Sequence, residues 1–318
     1  MSDIQIREAT ADDLAAILEV LRASLGETPV LKRTPELWSW KHTDNPFGRS
    51  IVLIATYSGR IAGVRAMARW QLETAAGETL QCVRPVDTAT HPDFARRGVF
   101  RELTMSAIEI ARASGIDLIF NTPNKRSAPG YLKMGWKPVG SIGVLVRPIV
   151  GTAVRLDPET APSMRDLGPT IAQVPFSLGN LPVREPLGLR TPRTDGYLQW
   201  RFLSHPTAQY GWVGKAEVGG AVVRASSRGG RAEMVMSDML GKPSSEYVKR
   251  TAKQAKTRYL AGWFSAGTPE RTAVNRGGMV PIPGLKTLQL VARPLSELTV
   301  DVFDLGSWDL ATSDLELL

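Results

Sequence analysis

Thr90-His91-Pro92-Asp93-Phe94-Ala95-Arg96-Arg97-Gly98-Val99-Phe100-Arg101 is the stretch from which the fold is read. A strand-like run, Leu80 to Thr90, leads into it and ends Val86-Asp87-Thr88-Ala89-Thr90. After it, Leu103, Ile108 and Ile110 recur among polar residues until Ser114-Gly115, a helix stop. Strand, basic glycine turn and helix therefore follow one another directly. That order aims backbone N–H groups and the positive end of a helix dipole at one point, with Arg96, Arg97 and Arg101 beside it. Such a point suits a phosphate; the competing reading is a solvated, arginine-rich helix start.

A second stretch, Asn124-Lys125-Arg126-Ser127-Ala128-Pro129-Gly130-Tyr131-Leu132-Lys133-Met134-Gly135-Trp136, follows an apolar strand at Ile116 to Phe120. Together the two stretches resemble the GCN5-related N-acetyltransferase (GNAT) family over roughly the first half of the chain. The family's acyl-CoA turn reads Gln/Arg-x-x-Gly-x-Gly/Ala, and its later helix carries Asn, a small residue, Tyr and a Gly-aromatic pair at the spacing of Asn124, Ser127, Tyr131 and Gly135-Trp136. The resemblance implies that Arg96, Arg97, Gly98, Val99, Phe100 and Arg101 surround the CoA pyrophosphate. It further implies that Thr88, Ala89 and Thr90 pair with pantetheine, that Asn124 and Ser127 complete the cofactor site, and that Tyr131 protonates the departing thiolate. Aligned on Gly98, the family's Gln/Arg falls on Ala95 and its last small residue on Phe100. Arg96 and Arg97 supply charge in place of the first, and Phe100 reads as the helix's first apolar anchor.

The chain has 318 residues, one cysteine and a net charge of +8. That length accommodates two domains, and the composition is that of a globular protein. Cys82 cannot make a disulfide or a metal site alone, and its apolar strand marks it as a buried structural thiol. The amino terminus lacks a signal-peptide pattern and no apolar run approaches the ~20 residues that span a bilayer, so a cytoplasmic protein without membrane attachment is expected. The positive charge suits a polyanionic partner such as CoA. Basic residues are scattered rather than gathered with interleaved aromatics, which argues against nucleic acid.

In chain order, Ile4 to Ala9 alternates as a strand and Thr10-Ala11-Asp12-Asp13 opens a helix carrying Leu14, Ile17, Leu18 and Leu21. Pro35 to Lys41 reads as a short helix whose Trp38, Trp40 and His42 either line an acceptor site or pack on the sheet. Ile51 to Thr56 and Arg60 to Leu72 flank a hairpin signal at Tyr57-Ser58-Gly59. With the strands at Leu80 and Ile116, the helix at Ser127 and a strand at Ile142 to Val146, they give the mixed sheet that the resemblance implies. Its fourth and fifth strands are expected to splay around a pantetheine slot.

A proline-rich stretch, 155–193, reads as a linker. Beyond it, Leu198-Gln199-Trp200-Arg201 with His205-Pro206 echoes Trp38 to Lys41 with Asn45-Pro46 at a constant offset, and Arg276-Gly277-Gly278-Met279-Val280-Pro281 echoes Lys133 to Pro138. The expected organisation is α/β (α+β) with two tandem GNAT-like domains: a catalytic one over 1–154, and a diverged one over 194–318. The second lacks an arginine-glycine turn after Met236, where Ser237-Asp238 stands, and Val274 falls where Tyr131 does.

Acyl transfer to an amine requires removal of a proton, because lysine-like amines have pKa about 10.4. Asp87, an acidic residue in an apolar strand, is the candidate base; it serves equally as an ion-pair partner of an arginine such as Arg84. The resemblance implies that backbone N–H groups around Ala89 polarise the carbonyl. The expected activity is N-acylation of a small-molecule amine from acetyl-CoA or another acyl-CoA, with no metal. The alternative is an acyl-CoA-binding regulatory module without turnover.

Overall fold

The computed structural model describes residues 4–28, 31–151, 154, 161–175, 181–215, 217–228, 230–284 and 287–316. Expectations for Met1-Ser2-Asp3, and for 155–160 and 176–180 of the proline-rich stretch, lie outside the described residues. The protein is mixed α/β, with two mostly antiparallel seven-stranded sheets flanked by helices. The chain forms two compact units, one comprising Met1–Leu72, Thr79–Gly140 and Gln289–Phe303, the other Glu73–Glu78, Ser141–Leu288 and Asp304–Leu318.

In the first unit the elements are β1 (Ile4–Glu8), α1 (Leu14–Leu25), α2 (Pro35–His42), β2 (Ile51–Tyr57), β3 (Arg60–Glu73), β4 (Thr79–Thr90), α3 (Val99–Ala113), β5 (Leu118–Asn121), α4 (Ala128–Lys133) and β6 (Lys137–Ile142). Ser58 and Gly59 both have positive φ, which matches the right-handed twist of β2 and β3 across a two-residue turn. One sheet face carries Leu53, Ala55, Met67 and Val83 against Val99, Leu103, Ala107 and Ile108 of α3. The opposite face buries Ile54, Val64 and Ala89 under Ile17, Leu18, Val20 and Leu21 of α1. Each of the larger aliphatic side chains among these, Val, Leu, Ile or Met, contributes about 1.5–3 kcal/mol by leaving water. Trp40 is buried, and Trp38, half-buried, packs against this second cluster with its ring tilted by 52° to that of His42 at 4.1 Å. Burial pushes the Cys82 thiol well up, which removes it from nucleophilic chemistry.

The second unit begins with β7 (Leu145–Pro148) and continues through α5 (Met164–Leu167), β8 (Ala172–Gln173), α6 (Asp195–Leu198) with a π-helical turn at Gln199–Leu203, and β9 (Tyr210–Lys215). Then come β10 (Gly219–Arg228), β11 (Arg231–Gly241), α7 (Ser245–Gln254), β12 (Tyr259–Gly262), α8 (Pro269–Arg276), β13 (Val280–Pro281) and α9 (Thr312–Leu315), while β14 (Leu288–Pro294), which precedes α9 in sequence, joins the first sheet. Within the stretch read as a linker, β8 is the edge strand, with Ala172 opposite Trp212.

The first sheet runs β1-β2-β3-β4-β5-β14-β6, and the second, read from its β8 edge, runs β8-β9-β10-β11-β12-β7-β13. The two orders correspond position by position, except that each sheet takes its sixth strand from the other's stretch of sequence. β14 pairs antiparallel with β5, from Leu118↔Pro294 to Asn121↔Val291. β7 pairs antiparallel with β12, from Tyr259↔Pro148 to Gly262↔Leu145. The single strand expected at Ile142 to Val146 is therefore two, β6 and β7, which part after Ile142 to enter different sheets. Boundaries at 154 and 193 follow chain order; the packing units interleave because of this exchange.

β4 and β5 are parallel and paired at Cys82↔Leu118 and Val83↔Ile119. Beyond Val83, β4 continues to Thr90 without β5, so a gap opens between them. β11 and β12 likewise pair from Met234↔Leu260 to Met236↔Gly262 before β11 continues to Gly241. The Ser237-Asp238 segment is thus strand, not turn, and Asp238 is buried on Arg193 at 2.9 Å.

Candidate active site

The basic turn is built by backbone conformation. Arg96 and Gly98 have positive φ, and Gly98 sits in the left-handed region as the residue before α3. A Cβ there would meet nothing closer than Glu102 Oε1 at 3.7 Å, so it is the backbone that selects glycine. The amides of Gly98, Val99 and Phe100 donate to no backbone acceptor among the described residues, as expected at a helix start. Arg96, Arg97 and Arg101 are exposed, and the Arg97 guanidinium lies 5.0 Å from the centre of the Tyr57 ring. Phe100 turns away from the turn onto the core, meeting the Tyr131 ring edge-on at 5.5 Å.

Tyr131 lies in α4 and is buried. Ser127 occupies the N-cap position of this helix, but its side chain makes no capping bond. The carboxamide of Asn124 instead accepts from the amides of Arg126 at 2.9 Å and Ser127 at 3.0 Å. Asn124 and Ser127 thus organise the start of α4.

Under Tyr131 lies Arg65, fully buried on β3. Its Nη1 donates to Tyr131 Oη at 2.7 Å and to Thr88 Oγ1 at 2.8 Å, and its Nη2 donates to Thr104 Oγ1. No carboxylate pairs with Arg65 among the described residues. It was missed in the sequence because a charged residue normally reads as exposed. The signal was present: Arg65 stands alone in the apolar run Ile61 to Ala68, as Asp87 does in its own strand.

Asp87 has a φ of 40°, a strained value for a non-glycine residue in a strand. Its Oδ1 accepts from Arg33 at 3.0 Å, while Oδ2 accepts from Lys41 Nζ at 2.8 Å and lies 3.1 Å from His42 Nε2. The expected partner, Arg84, is elsewhere, between the rings of Trp70 and Phe120. Burial alone would raise the Asp87 carboxyl, but Lys41 and His42 outweigh it and hold the group far below the usual carboxylate range. His42 is fully enclosed; burial lowers its pKa against the opposing pull of Asp87, and its Nδ1 lies 2.9 Å from Ser50 Oγ.

At the open end of the β4–β5 gap, the carboxamide oxygen of Asn121 is buried without a hydrogen-bond partner among the described residues. In the second unit the matching gap holds the chain's own tail. Thr312 Oγ1 accepts from the Trp263 amide at 2.8 Å and donates to its carbonyl at 3.0 Å, the Ser265 amide donates to the Leu310 carbonyl at 3.0 Å, and Ser313 Oγ donates to Asp238 at 2.8 Å. Val274 is buried in α8.

Residues 5–139 match the family model described as an acetyltransferase (GNAT) domain. Solved structures with the same fold include a GCN5-related N-acetyltransferase from Anabaena variabilis (TM-score 0.63, 12% identity, covering 92% of this chain and 73% of that one). Others are a GCN5-related N-acetyltransferase from Kribbella flavida (0.57, 13%, 92% and 71%) and Eis1 from Mycobacterium abscessus (0.57, 12%, 92% and 73%). At these identities the likeness is one of fold. No curated protein matches the sequence. The match to a GNAT acetyltransferase domain is confined to residues 5–139, and it supports an acyltransferase. Among the described residues, no helix is long and apolar enough to cross a membrane.

Proposed function

We propose that the protein transfers an acyl group, most simply acetyl, from acyl-CoA to the amine of a small molecule, and that the first unit holds the one CoA site. The observation that carries this reading is the parting of β4 from β5 after Val83, beside a buried phenol and next to a glycine turn rich in arginine. The chain's residues fit such a cofactor. Asn121 Oδ1 is a buried acceptor in need of an N–H, which a pantetheine amide provides. The amides of Gly98, Val99 and Phe100, with Arg96 and Arg97, suit a pyrophosphate. The edge of β4 over Thr88, Ala89 and Thr90 faces the gap in the sheet. Bound acyl-CoA supplies an acyl group activated as a thioester; Tyr131 holds the proton for the leaving sulfur at Oη.

Asp87 is poorly suited to be the base, because a carboxylate held by the cations Arg33 and Lys41 and by a contact with His42 has little remaining proton affinity. Its role in this reading is to fix Lys41 and His42 of α2 against β4. Amine deprotonation then falls to an ordered water or another group. The second unit is a diverged copy of the same fold whose slot is taken by residues 310–314, which supports a structural role for it.

The experiment is calorimetry of CoA binding together with CoA release from acetyl-CoA across an amine panel. One site per chain with amine-dependent release is expected. Binding without release under any amine would favour the regulatory-module reading.

A further inference from the structure

Three hydroxyls surround the Arg65 guanidinium, and they differ in one respect. Thr104 Oγ1 donates its own hydrogen to the Phe100 carbonyl at 2.5 Å, and Thr88 Oγ1 donates to the Val86 carbonyl at 3.2 Å. Both are committed. Tyr131 Oη accepts from Arg65 and has no other partner among the described residues, so its hydrogen has no acceptor among them. A guanidinium can only donate. By occupying the acceptor side of the phenol it forces the O–H to point away from Arg65. The Arg65 guanidinium is itself held by Thr88, Thr104 and the rings of Phe100 and Tyr131, 5.1 and 5.2 Å from its central carbon. Burying a cation without a carboxylate is costly, which makes a purely structural explanation for it uneconomical in packing terms.

We propose that Arg65 is a positioning residue for Tyr131: it directs the phenolic hydrogen toward the leaving sulfur and holds a positive charge beside the oxygen that gives the proton up. This rests on the reading of Tyr131 as the acid. In the step concerned, a C–N bond forms to the acceptor amine and the C–S bond breaks. The Tyr131 proton passes to sulfur, and the phenol is restored by the proton that the amine releases. The guanidinium stabilises the phenolate between these two transfers without itself gaining or losing a proton.

A double-mutant cycle tests this, with Arg65→Gln, Tyr131→Phe and the pair, read in two ways. Thermal unfolding of the unliganded proteins comes first and needs no acceptor. The destabilisation by the double variant should be smaller than the sum of the single ones; additive losses would mean the two side chains are not joined and would overturn the proposal. With the fastest amine of the panel, Arg65→Gln should lower kcat by about ten-fold, the low end for lost acid catalysis, with CoA affinity by calorimetry essentially unchanged and no further loss in the Tyr131→Phe background. A loss of equal size in that background would overturn the positioning role while leaving Tyr131 as the acid. Wild-type kcat for Tyr131→Phe in a chemistry-limited assay would remove the acid reading itself, and this proposal with it. Should Arg65→Gln not fold, Thr104→Val loosens the same guanidinium and must show the same dependence on the Tyr131 hydroxyl.

Discussion

Lys41 donates from Nζ to Oδ2 of Asp87 at 2.8 Å, joining α2 to the strained point of β4. Arg33 and His42 complete the cluster around the same carboxylate. Asp87→Asn leaves Lys41 and Arg33 buried with a neutral partner, and removal of one member of such a cluster costs about 3–5 kcal/mol. The expected outcome is a large fall in thermal stability, with turnover lost in proportion at every pH. A loss of turnover confined to low pH in a fully folded variant would restore Asp87 as the base.

The same cluster gives stability a definite pH dependence. The native pKa of Asp87 is depressed, so the stability it adds is present above the unfolded value of about 3.9 and is lost as pH falls below it. The native pKa of His42 is also depressed, so its contribution is full above about 6.5 and declines as pH falls below that. Unfolding free energy should therefore fall in two stages on acidification. His42→Gln should flatten the first stage, as measured by denaturant titration between neutral pH and about pH 5.

Replacing Arg96 and Arg97 together with alanine should weaken CoA and dephospho-CoA alike, since contacts to pyrophosphate rather than to the 3′-phosphate are lost. Two charge-assisted contacts correspond to a loss of about ten- to a hundred-fold or more. Calorimetry showing unchanged affinity would exclude this turn from the site.

Gly98→Ala tests the turn without touching charge. Space for the methyl exists, so the cost is that of the left-handed backbone, about 1–2 kcal/mol. Relaxation of the turn to avoid that cost should reduce CoA binding more than stability, and equal binding by the variant would contradict it.

A chain ending at residue 154 contains most of the first unit but lacks β14, the strand between β5 and β6. It should fail to fold cooperatively, leaving no sharp thermal transition. Deleting the residues after Asp309 should destabilise the second unit by emptying its slot, yet CoA stoichiometry should stay at one, because no glycine-arginine turn accompanies that slot. A second site appearing in calorimetry would refute this.

The parts of the molecule that depend on local chemistry were legible in the sequence. α1 with its apolar spacing, the Ser58-Gly59 hairpin, the turn at Gly98 and the helix of Tyr131 each follow from residues within one or two turns of one another. Contacts between distant residues were not. Nothing in Asp87 or its neighbours points to Arg33 and Lys41, whose proximity depends on how α2 docks on the sheet. Arg65 was hidden because its partners are hydroxyls rather than a carboxylate. β7 and β14 are short apolar runs that suit either sheet equally, and the choice between them is made by tertiary pairing, which leaves no periodic trace.

The exchange of β7 and β14 also sets an order of events during synthesis. A sheet begun at Ile4 receives its sixth strand only when the chain has been made as far as Pro294, after nearly all of the second sheet has left the ribosome. Until then β5 presents an open edge of unpaired backbone groups, which any extended segment can engage, including β14 of another chain at an earlier or later stage of translation. Dimers with exchanged strands are thus the natural failure product of this connectivity.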